Sequence, residues 1–281
     1  MVSRRHLLAH GTDPKDIARA VRQGRLAVIR RGWYQTADAD DAVTSAVRRG
    51  GVVSCVSALE RHGIWVPPGI DRTHVRVSHF ARSARPGDSC TGFGRLPTPE
   101  RAVDPILPAL ACAAKCLPWD HFVAACDSVL HQNRAWELVD LVPAVASAPP
   151  RVRSLLDRVD RLADSGTESL VRVRLRSKRV RLTIQVYIPG VGTVDTLIGR
   201  SLIVECDSRA HHLGEGYQTD RARDRAARRL GYHPVRLTWE DVMFRWPEAE
   251  REILDMIRMG LHRQRVRSGH QPCSEDVYPA I

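Results

Sequence analysis

Three carboxylates lie close together in a part of the chain that is otherwise apolar. Asp195 falls in one short apolar run, and Glu205 and Asp207 end the next one, with a turn at Gly199–Ser201 between them. β-branched runs of this length, bounded by turn residues, predict buried strands. A buried carboxylate costs free energy unless it is paired or binds a metal. These acids therefore mark the place where the sequence predicts chemistry.

The elements that must position these acids follow from the pattern of the second half of the chain, which predicts the order α-β-β-β-α-β-α. The predicted helices cover 151–163, 167–177, 218–230 and 239–261, and the predicted strands cover 182–188, 193–198, 202–207 and 233–238. Asp195 then lies on the second strand, and Glu205 and Asp207 lie on the third. Neighbouring strands hold such side chains within reach of one another.

The N-terminal residues predict a winged helix. A short helix over 3–9 is followed by a second helix that begins at Asp13-Pro14, a cap residue and a first-turn proline, and ends at Arg22. Two strands, over 26–29 and 33–36, follow it and are joined by a basic turn. This order of helix, turn, helix and hairpin is that of a winged helix in outline.

The chain as a whole is predicted to be an α/β protein, α+β overall. It divides into a winged-helix domain over 1–37, a mixed α/β middle region over 38–150, an α/β domain over 151–265 and a polar tail over 266–281. The boundary at residue 150 depends on the uncharged stretch 142–150, which is interpreted as a joint. The middle region shows no residues of identifiable chemistry.

Composition limits the class of protein. The 281 residues include 43% hydrophobic residues, which is normal for a globular protein. No run approaches the roughly 18 apolar residues of a membrane helix, and the basic N-terminus lacks the apolar core of a signal peptide, so we expect a cytoplasmic protein. The net charge of +11 favours a nucleic-acid partner. Because the excess comes almost entirely from Arg, codon usage in a GC-rich genome is the alternative explanation.

The seven cysteines are irregularly spaced and form no C-x-x-C pair, so they predict neither a zinc ribbon nor a disulfide framework. Cys112, Cys116 and Cys126 lie in apolar helical stretches. We interpret these three as small core residues.

The acids belong to a longer set of matching positions. These are Glu168, Asp195, Glu205-x-Asp207, His211-His212, Asp220-Arg221-x-Arg223-Asp224, Gly231-Tyr232 and Val235-Arg236. With this set, residues from about 160 to 245 resemble the very-short-patch-repair endonuclease-like family of the PD-(D/E)xK restriction-endonuclease-like superfamily. The resemblance implies a restriction-endonuclease-like α-β-β-β-α-β core that hydrolyses DNA phosphodiesters with Mg²⁺, for which Mn²⁺ can substitute.

A metal-activated water and neutralisation of phosphoryl charge are what this hydrolysis needs. In this reading Asp195 and Glu205 bind Mg²⁺, and Glu168 supplies a third ligand or orients the water. Asp207 stands where the superfamily usually has Lys, and Ser208 stands where the family has Gly. A nearby imidazole is a candidate general base at neutral pH. The predicted catalytic set is Glu168, Asp195, Glu205, Asp207 and His212.

An ion-pair network explains the same acids without a metal. Asp207 could pair with Arg223 or Arg236, and Asp195 could bind backbone at a strand end. The basic run 220–229 either binds phosphate or forms ion pairs along its own helix, such as that of Asp224 with Arg228. Within that run we expect Arg223 to point at the acids.

A second resemblance covers residues 3–36. Gly24-Arg25-Leu26 and Arg30-Arg31-Gly32-Trp33-Tyr34 resemble the winged-helix N-terminus of AbiEi-type abortive-infection antitoxins. The resemblance implies DNA binding, with the second helix in the major groove and the hairpin on phosphate. A protein-contact module is the alternative. The residues predicted to contact DNA are Arg19, Arg22, Arg25, Arg30 and Arg31, with Arg223 from the second half.

Two functions follow from these observations. The first is a protein that binds double-stranded DNA and cuts it with a Mg²⁺-dependent endonuclease domain. The second is a catalytically inactive, antitoxin-like transcriptional regulator that keeps the nuclease fold as a scaffold and binds a cognate toxin or another protein. A protein-interaction role for residues 38–150 is a third reading.

Overall fold

A computed structural model describes residues 1–77, 89–207 and 216–267, without the side chains of 216–220. The chain divides into two compact units, Met1–Val159 and Asp160–Ile281. The division falls later than the joint predicted at 142–150. That stretch instead includes the end of the helix Leu138–Val145, and the 3-10 helix Ser154–Arg158 that follows it buries Leu156 in the core of the first unit. The predicted helix over 151–163 is therefore a shorter helical segment that belongs to the first unit.

The first unit is mainly helical with two small sheets. Its elements are β1 Val2–Ser3, α1 Arg4–Ala9, α2 Pro14–Arg22, β2 Ala27–Arg30, β3 Trp33–Gln35, α3 Asp41–Arg48, β4 Gly51–Val53, α4 Cys55–Arg61, β5 Val75–Val77, α5 Ile106–Cys116, α6 Trp119–Gln132, α7 Leu138–Val145, α8 Pro150–Arg153 and the 3-10 helix Ser154–Arg158.

The N-terminal elements form in the predicted order. Asp13 caps α2 by accepting a hydrogen bond from the backbone N–H of Lys15, and Pro14 occupies the first turn, where its missing N–H is not needed. Ile17 and Ala20 are the buried residues of α2. Strands β1, β3 and β2 form an antiparallel sheet in that order.

The core of the first unit lies among α3 to α7 and the antiparallel pair β4–β5. The prediction that Cys112 and Cys126 are core residues is confirmed, because both are fully buried. Gly51 in β4 allows the two strands to approach closely, since a Cβ there would lie 2.7 Å from the carbonyl oxygen of Arg76 and would collide with Val75. The pairing of β4 with β5 therefore requires glycine at this position.

The second unit is a mixed sheet with helices. Its elements are α9 Gly166–Ser177, β6 Leu182–Ile188, β7 Gly192–Ile198, β8 Leu202–Cys206, α10 Gly216–Leu230, β9 His233–Leu237, α11 Trp239–Met243, α12 Trp246–Arg258 and the 3-10 helix Leu261–Arg263. The strand order is β6-β7-β8-β9. The first three strands are antiparallel neighbours, and β9 runs parallel to β8 after the crossover through α10.

The predicted order α-β-β-β-α-β is confirmed in the second unit, with one correction after it. The single helix predicted over 239–261 is two helices, α11 and α12. Pro247 lies in the first turn of α12. A proline ring clashes with the carbonyl four residues earlier, which here is that of Met243, so α11 ends there.

The described residues form a mixed α/β protein, as predicted. None of the helices in the described ranges is both long and apolar enough to cross a bilayer. His212, predicted as a general base, lies outside the described residues, as does Ser208.

Candidate active site

A row of polar residues crosses the sheet of the second unit. In the parallel register of β8 and β9, Glu205 is the neighbour of Arg236. When the antiparallel register of β7 and β8 is continued by one residue, Asp195 lies opposite Glu205. On the other side of β7, β6 and β7 pair on both sides of Gln185 and Asp195, and this register places the two residues opposite each other. Residues opposite one another on neighbouring strands share a face of a sheet. We call Gln185, Asp195, Glu205 and Arg236 the polar row.

Asp195 and Glu205 form the centre of the row. Oδ2 of Asp195 accepts a hydrogen bond of 2.7 Å from the backbone N–H of Cys206, the residue that follows Glu205. Burial raises the pKa of Asp195. Burial, and then the charge of Asp195, raise the pKa of Glu205 to about 7, although Arg223 and Arg236 oppose the shift. Burial therefore disfavours the ionised form of both carboxyl groups.

Glu168 reaches the row from α9. The hydroxyl of Ser165 caps this helix by accepting from the backbone N–H of Glu168, which fixes the first turn beside the sheet. Oε2 of Glu168 accepts hydrogen bonds from the side-chain amide of Gln185 at 2.8 Å and from the backbone N–H of Asp164 at 3.1 Å. Burial, followed by the charge of Asp195, raises the pKa of Glu168 to about 7.

Gln185 adopts a left-handed backbone conformation with φ 54° in the middle of β6. Left-handed geometry costs a residue other than glycine about 1 kcal/mol, and such strain often occurs at functional sites. The residue with this strained conformation is the same one whose side-chain amide donates a hydrogen bond to Glu168. Sequence reasoning missed Gln185, because nothing in the pattern of β6 distinguishes it from a solvent-facing strand residue.

Two arginines balance the acids. Arg223 in α10 donates to the carbonyl oxygens of Val191 and Thr193, and its Nη2 lies 3.4 Å from Oε1 of Glu205. This placement confirms the expectation that Arg223 points at the acids. Its bonds to two carbonyls fix the guanidinium at one edge of Glu205.

Arg236 in β9 binds two further carboxylates. It forms ion pairs of 2.9 Å with Asp207 and 3.0 Å with Asp224. The pairing of Asp207 with Arg236 confirms one of the two alternatives drawn from the sequence. The predicted helical pairing of Asp224 with Arg228 is wrong, because Asp224 faces the β9 strand rather than its own helix.

The acids of the row offer oxygen ligands for a metal ion. Across the described ranges, no three carboxylates form a group close enough to hold an ion by themselves, whereas a cluster of cysteines and a histidine in the first unit, described below, does. Mg²⁺ is commonly held by one or two carboxylates together with water and substrate oxygens. Asp195 and Glu205, on adjacent strands, are the residues of the row that could hold such an ion.

The basic residues predicted to contact DNA differ in exposure. Arg19, Arg22, Arg25 and Arg31 are exposed on α2 and the turns that follow it. Arg19 pairs with Asp16 at 3.1 Å, and Arg25 binds the side chain of Gln23. Arg30 instead packs over the ring of Trp33, 5.5 Å from its centroid, so it stabilises the hairpin rather than extending from its tip.

A second cluster lies in the middle region, 38–150, where no site was predicted. Cys55, His74, Cys90 and Cys116 bring one ligand atom each to within 4.8 Å of one another. The prediction that Cys116 is a core residue is wrong, since its side chain is exposed and joins this cluster. We call these residues the thiol–imidazole cluster. Its ligands are far apart in the sequence, so only a search for contacts across segments could have found it.

Comparison with known proteins adds no identification: no family model, no curated protein and no solved structure matches this chain.

Proposed function

We propose that this protein binds double-stranded DNA and cuts it with Mg²⁺ at the polar row of its second unit. The proposal assigns this unit to the very-short-patch-repair endonuclease-like branch of the PD-(D/E)xK superfamily and places the activity in the cytoplasm. The observation that carries it is the convergence of Asp195 and Glu205 on adjacent strands, where burial raises the pKa of both carboxyls and a cation would stabilise their charges. Sequence order supports it, since Glu168, Asp195 and Glu205 come from the first helix, second strand and third strand of an α-β-β-β-α-β unit.

Each residue has a distinct task in this proposal. Asp195 and Glu205 would hold Mg²⁺, which supplies charge stabilisation and an activated water when bound. Glu168, with a pKa near 7, can accept a proton at neutral pH while Gln185 and the Asp164 backbone fix its orientation. Arg223 can meet a phosphate oxygen beside Glu205, because its guanidinium is already fixed there. Asp207 is held by Arg236 and has no part in proton transfer.

The first unit supplies DNA affinity in this proposal. Arg19, Arg22, Arg25 and Arg31 are exposed around α2 and the hairpin, where they can contact phosphates. The net charge of +11 supports the same partner.

Plasmid nicking in Mg²⁺ or Mn²⁺ tests the enzymatic part. We expect the full chain to nick supercoiled DNA and Asp195→Ala to lose about 100-fold or more in rate, since the metal contributes several kcal/mol of charge stabilisation. Glu252→Ala is the matched control, because Glu252 is an exposed acid on α12. Equal nicking by Asp195→Ala, or none by the wild type in either metal, would contradict the proposal.

The second candidate function is a DNA-binding, antitoxin-like regulator that does not cut and that binds a toxin or another protein. The ion pairs of Arg236 with Asp207 and Asp224 favour it, because they occupy the place of the lysine that usually polarises the water. Salt-dependent DNA binding without nicking would support this candidate. Each phosphate contact contributes about 0.9 to the slope of log affinity against log salt, so Arg31→Ala should lower the slope more than Arg251→Ala in the second unit.

A further inference from the structure

The thiol–imidazole cluster is assembled from four separate segments of the first unit. Cys55 is the first residue of α4, His74 directly precedes β5, Cys90 follows in the next described segment, and Cys116 is the last residue of α5. One ligand atom from each lies within 4.8 Å of all the others. Three thiols and an imidazole are the ligands that zinc prefers in structural sites.

The backbone around the cluster holds the ligands in place. The N–H of His74 donates to the hydroxyl of Ser57, and the carbonyl of His74 accepts from the N–H of Ser54, so α4 fixes this residue from both sides. The N–H of Cys90 donates to the carbonyl of Val75, which places Cys90 beside the start of β5. The site is therefore positioned by the fold itself, without a metal.

The spacing of the ligand atoms agrees with tetrahedral coordination. Four sulfur ligands about 2.3 Å from one zinc ion lie about 3.8 Å apart, and the sulfurs of Cys90 and Cys116 are 3.8 Å apart. Nδ1 of His74 lies 3.2 Å from the sulfur of Cys90. The largest separation of 4.8 Å needs only about 1 Å of side-chain movement to close around an ion.

Other uses of the four residues fit less well. The 3.8 Å between the sulfurs of Cys90 and Cys116 is far longer than the roughly 2.05 Å of a disulfide bond. A cysteine nucleophile at Cys55 is excluded by burial, since this residue exposes 0% of its surface. Cys55 nevertheless has a left-handed backbone, φ 54°, which is costly and aims its side chain at the other three ligands.

The charges around the cluster favour the ionised form of the thiols, which is the form that binds a metal. Arg49, Arg72 and Lys115 line the same groove as His74 and Cys116, and their positive charge favours thiolates.

We propose that Cys55, His74, Cys90 and Cys116 bind one zinc ion that stabilises the first unit. The site has four protein ligands, which is the arrangement of structural rather than catalytic zinc. This inference does not depend on the proposed nuclease activity.

Metal analysis of the purified full chain tests the proposal. We expect about one zinc ion per chain after expression in zinc-containing medium and purification under reducing conditions. Cys116→Ser is the first variant, because its exposed side chain makes this the mildest change, and Cys55→Ser is the second. Both should lower the zinc content at least about tenfold after dialysis against a chelator, since each removes one of four ligands.

Matched controls separate this site from the other candidate ligands. Cys112→Ala changes a buried cysteine of the same helix α5 outside the cluster, and Asp195→Ala removes the acid pair of the second unit. Both should keep zinc at the wild-type level. Replacement of zinc by Co²⁺ should give the visible absorption of a tetrahedral thiolate site, and this spectrum should change in Cys116→Ser even if the protein remains folded.

Three outcomes would overturn the proposal. They are a wild-type protein without stoichiometric zinc, zinc that remains in both Cys116→Ser and Cys55→Ser, and a Cys90–Cys116 disulfide found by peptide mapping. If the nuclease assay fails while zinc is bound as expected, only the function proposed for the second unit is lost.

Discussion

The polar row and the thiol–imidazole cluster both bring together side chains that can bind a metal ion, but their ligand atoms differ. The row brings oxygen ligands together on neighbouring strands, whereas the cluster brings sulfur and nitrogen ligands together from four segments. The row is stabilised partly by arginines, Arg223 at Glu205 and Arg236 at Asp207, but the cluster is stabilised by hydrogen bonds among its own members. The difference matches the two proposals, which place a hard, exchangeable ion at the row and a tightly held ion with sulfur ligands at the cluster.

The two sites share one backbone feature. The described residues include three residues other than glycine with positive φ, namely Cys55, Arg179 and Gln185. Arg179 follows helix α9, where the backbone N–H groups of Arg179 and Val180 satisfy its last carbonyls, so its conformation is explained by helix termination. The other two lie in the two candidate sites. Left-handed backbone that the termination of a helix does not explain is therefore the feature that the two sites have in common.

Zinc removal should give the largest difference between the two regions. A structural zinc ion contributes about 10 kcal/mol or more in small zinc domains, so EDTA under reducing conditions, with excess Mg²⁺ present, should destabilise the first unit by several kcal/mol. Hydrogen exchange followed by mass spectrometry should show faster exchange around α4, β5 and α5 and little change in β6 to β8. Equal loss of protection in both regions would contradict separate roles for the two clusters.

A change of pH should give the next largest effect, a change in the stability of the second unit. Glu205 has a folded pKa of about 7 against 4.5 for the free side chain. The folded protein therefore binds the extra proton between these values, and metal-free stability should fall as the pH rises through this window and level off above it. Glu205→Gln keeps the size and shape of the side chain without its charge. We expect it to stabilise the metal-free protein by about 2 kcal/mol at pH 8, allowing for partial screening, and to have little effect near pH 4.

Chemical denaturation at both pH values, in buffer without Mg²⁺ or a chelator and with zinc bound to the first unit, measures this difference. Asp241→Asn is a suitable comparison, because the pKa of Asp241 is lowered by its hydrogen bond with the Thr238 hydroxyl. That variant should lose stability above the ordinary pKa of aspartate rather than gain it. A Glu205→Gln effect that is equal at both pH values would contradict the raised pKa of Glu205.

Magnesium should stabilise the row by a smaller amount. With a dissociation constant of about 1 mM, about 10 mM Mg²⁺ would stabilise the folded protein by about 1.4 kcal/mol. Asp195→Asn should abolish that increment, whereas Cys116→Ser should keep it. The shift of the denaturation midpoint with Mg²⁺ concentration provides the measurement, and an increment that survives in Asp195→Asn would place the ion elsewhere.

Substitution of Gln185 should give the smallest net change in stability. Gln185→Gly relieves about 1 kcal/mol of backbone strain but loses the hydrogen bond to Glu168, which is worth a similar amount. We therefore expect near-unchanged stability together with altered pH dependence of nicking, because Glu168 loses a fixed orientation. Gln185→Ala, which keeps the strain and loses the bond, should be less stable than Gln185→Gly.

The sequence predicted the second unit well because its signals are local. Apolar runs and turn residues delimit β6 to β8, and Ser165 and Gly231 mark the adjoining helix ends, so the placement of Glu168, Asp195 and Glu205 followed from pattern alone. The pairing of Arg236 required knowledge that β9 lies parallel to β8. That register depends on tertiary packing and not on local sequence. For this reason the sequence left both Arg223 and Arg236 as possible ion-pair partners of Asp207.

The thiol–imidazole cluster was not predictable in the same way. Cys55, Cys90 and Cys116 have no short spacing that a ligand motif would show, and Cys116 lies in an apolar helix that reads as core. Its position as the last residue of α5 decides its exposure, because a change of about one residue in the helix end changes the direction of the side chain. Similarly, the 142–150 stretch has the composition of a linker, but its apolar side chains pack into the first unit.

The four separate origins of the thiol–imidazole ligands also decide how this part of the molecule can be dissected. A zinc finger can be excised as a short peptide because its ligands are close in sequence. Here any fragment that keeps all the ligands must extend from Cys55 to Cys116, and His74 precedes a strand whose partner, Gly51–Val53, lies outside that fragment. The cluster therefore cannot be moved into another protein as a short tag or studied as a peptide. The smallest fragment that we expect to keep it is the first unit, Met1–Val159.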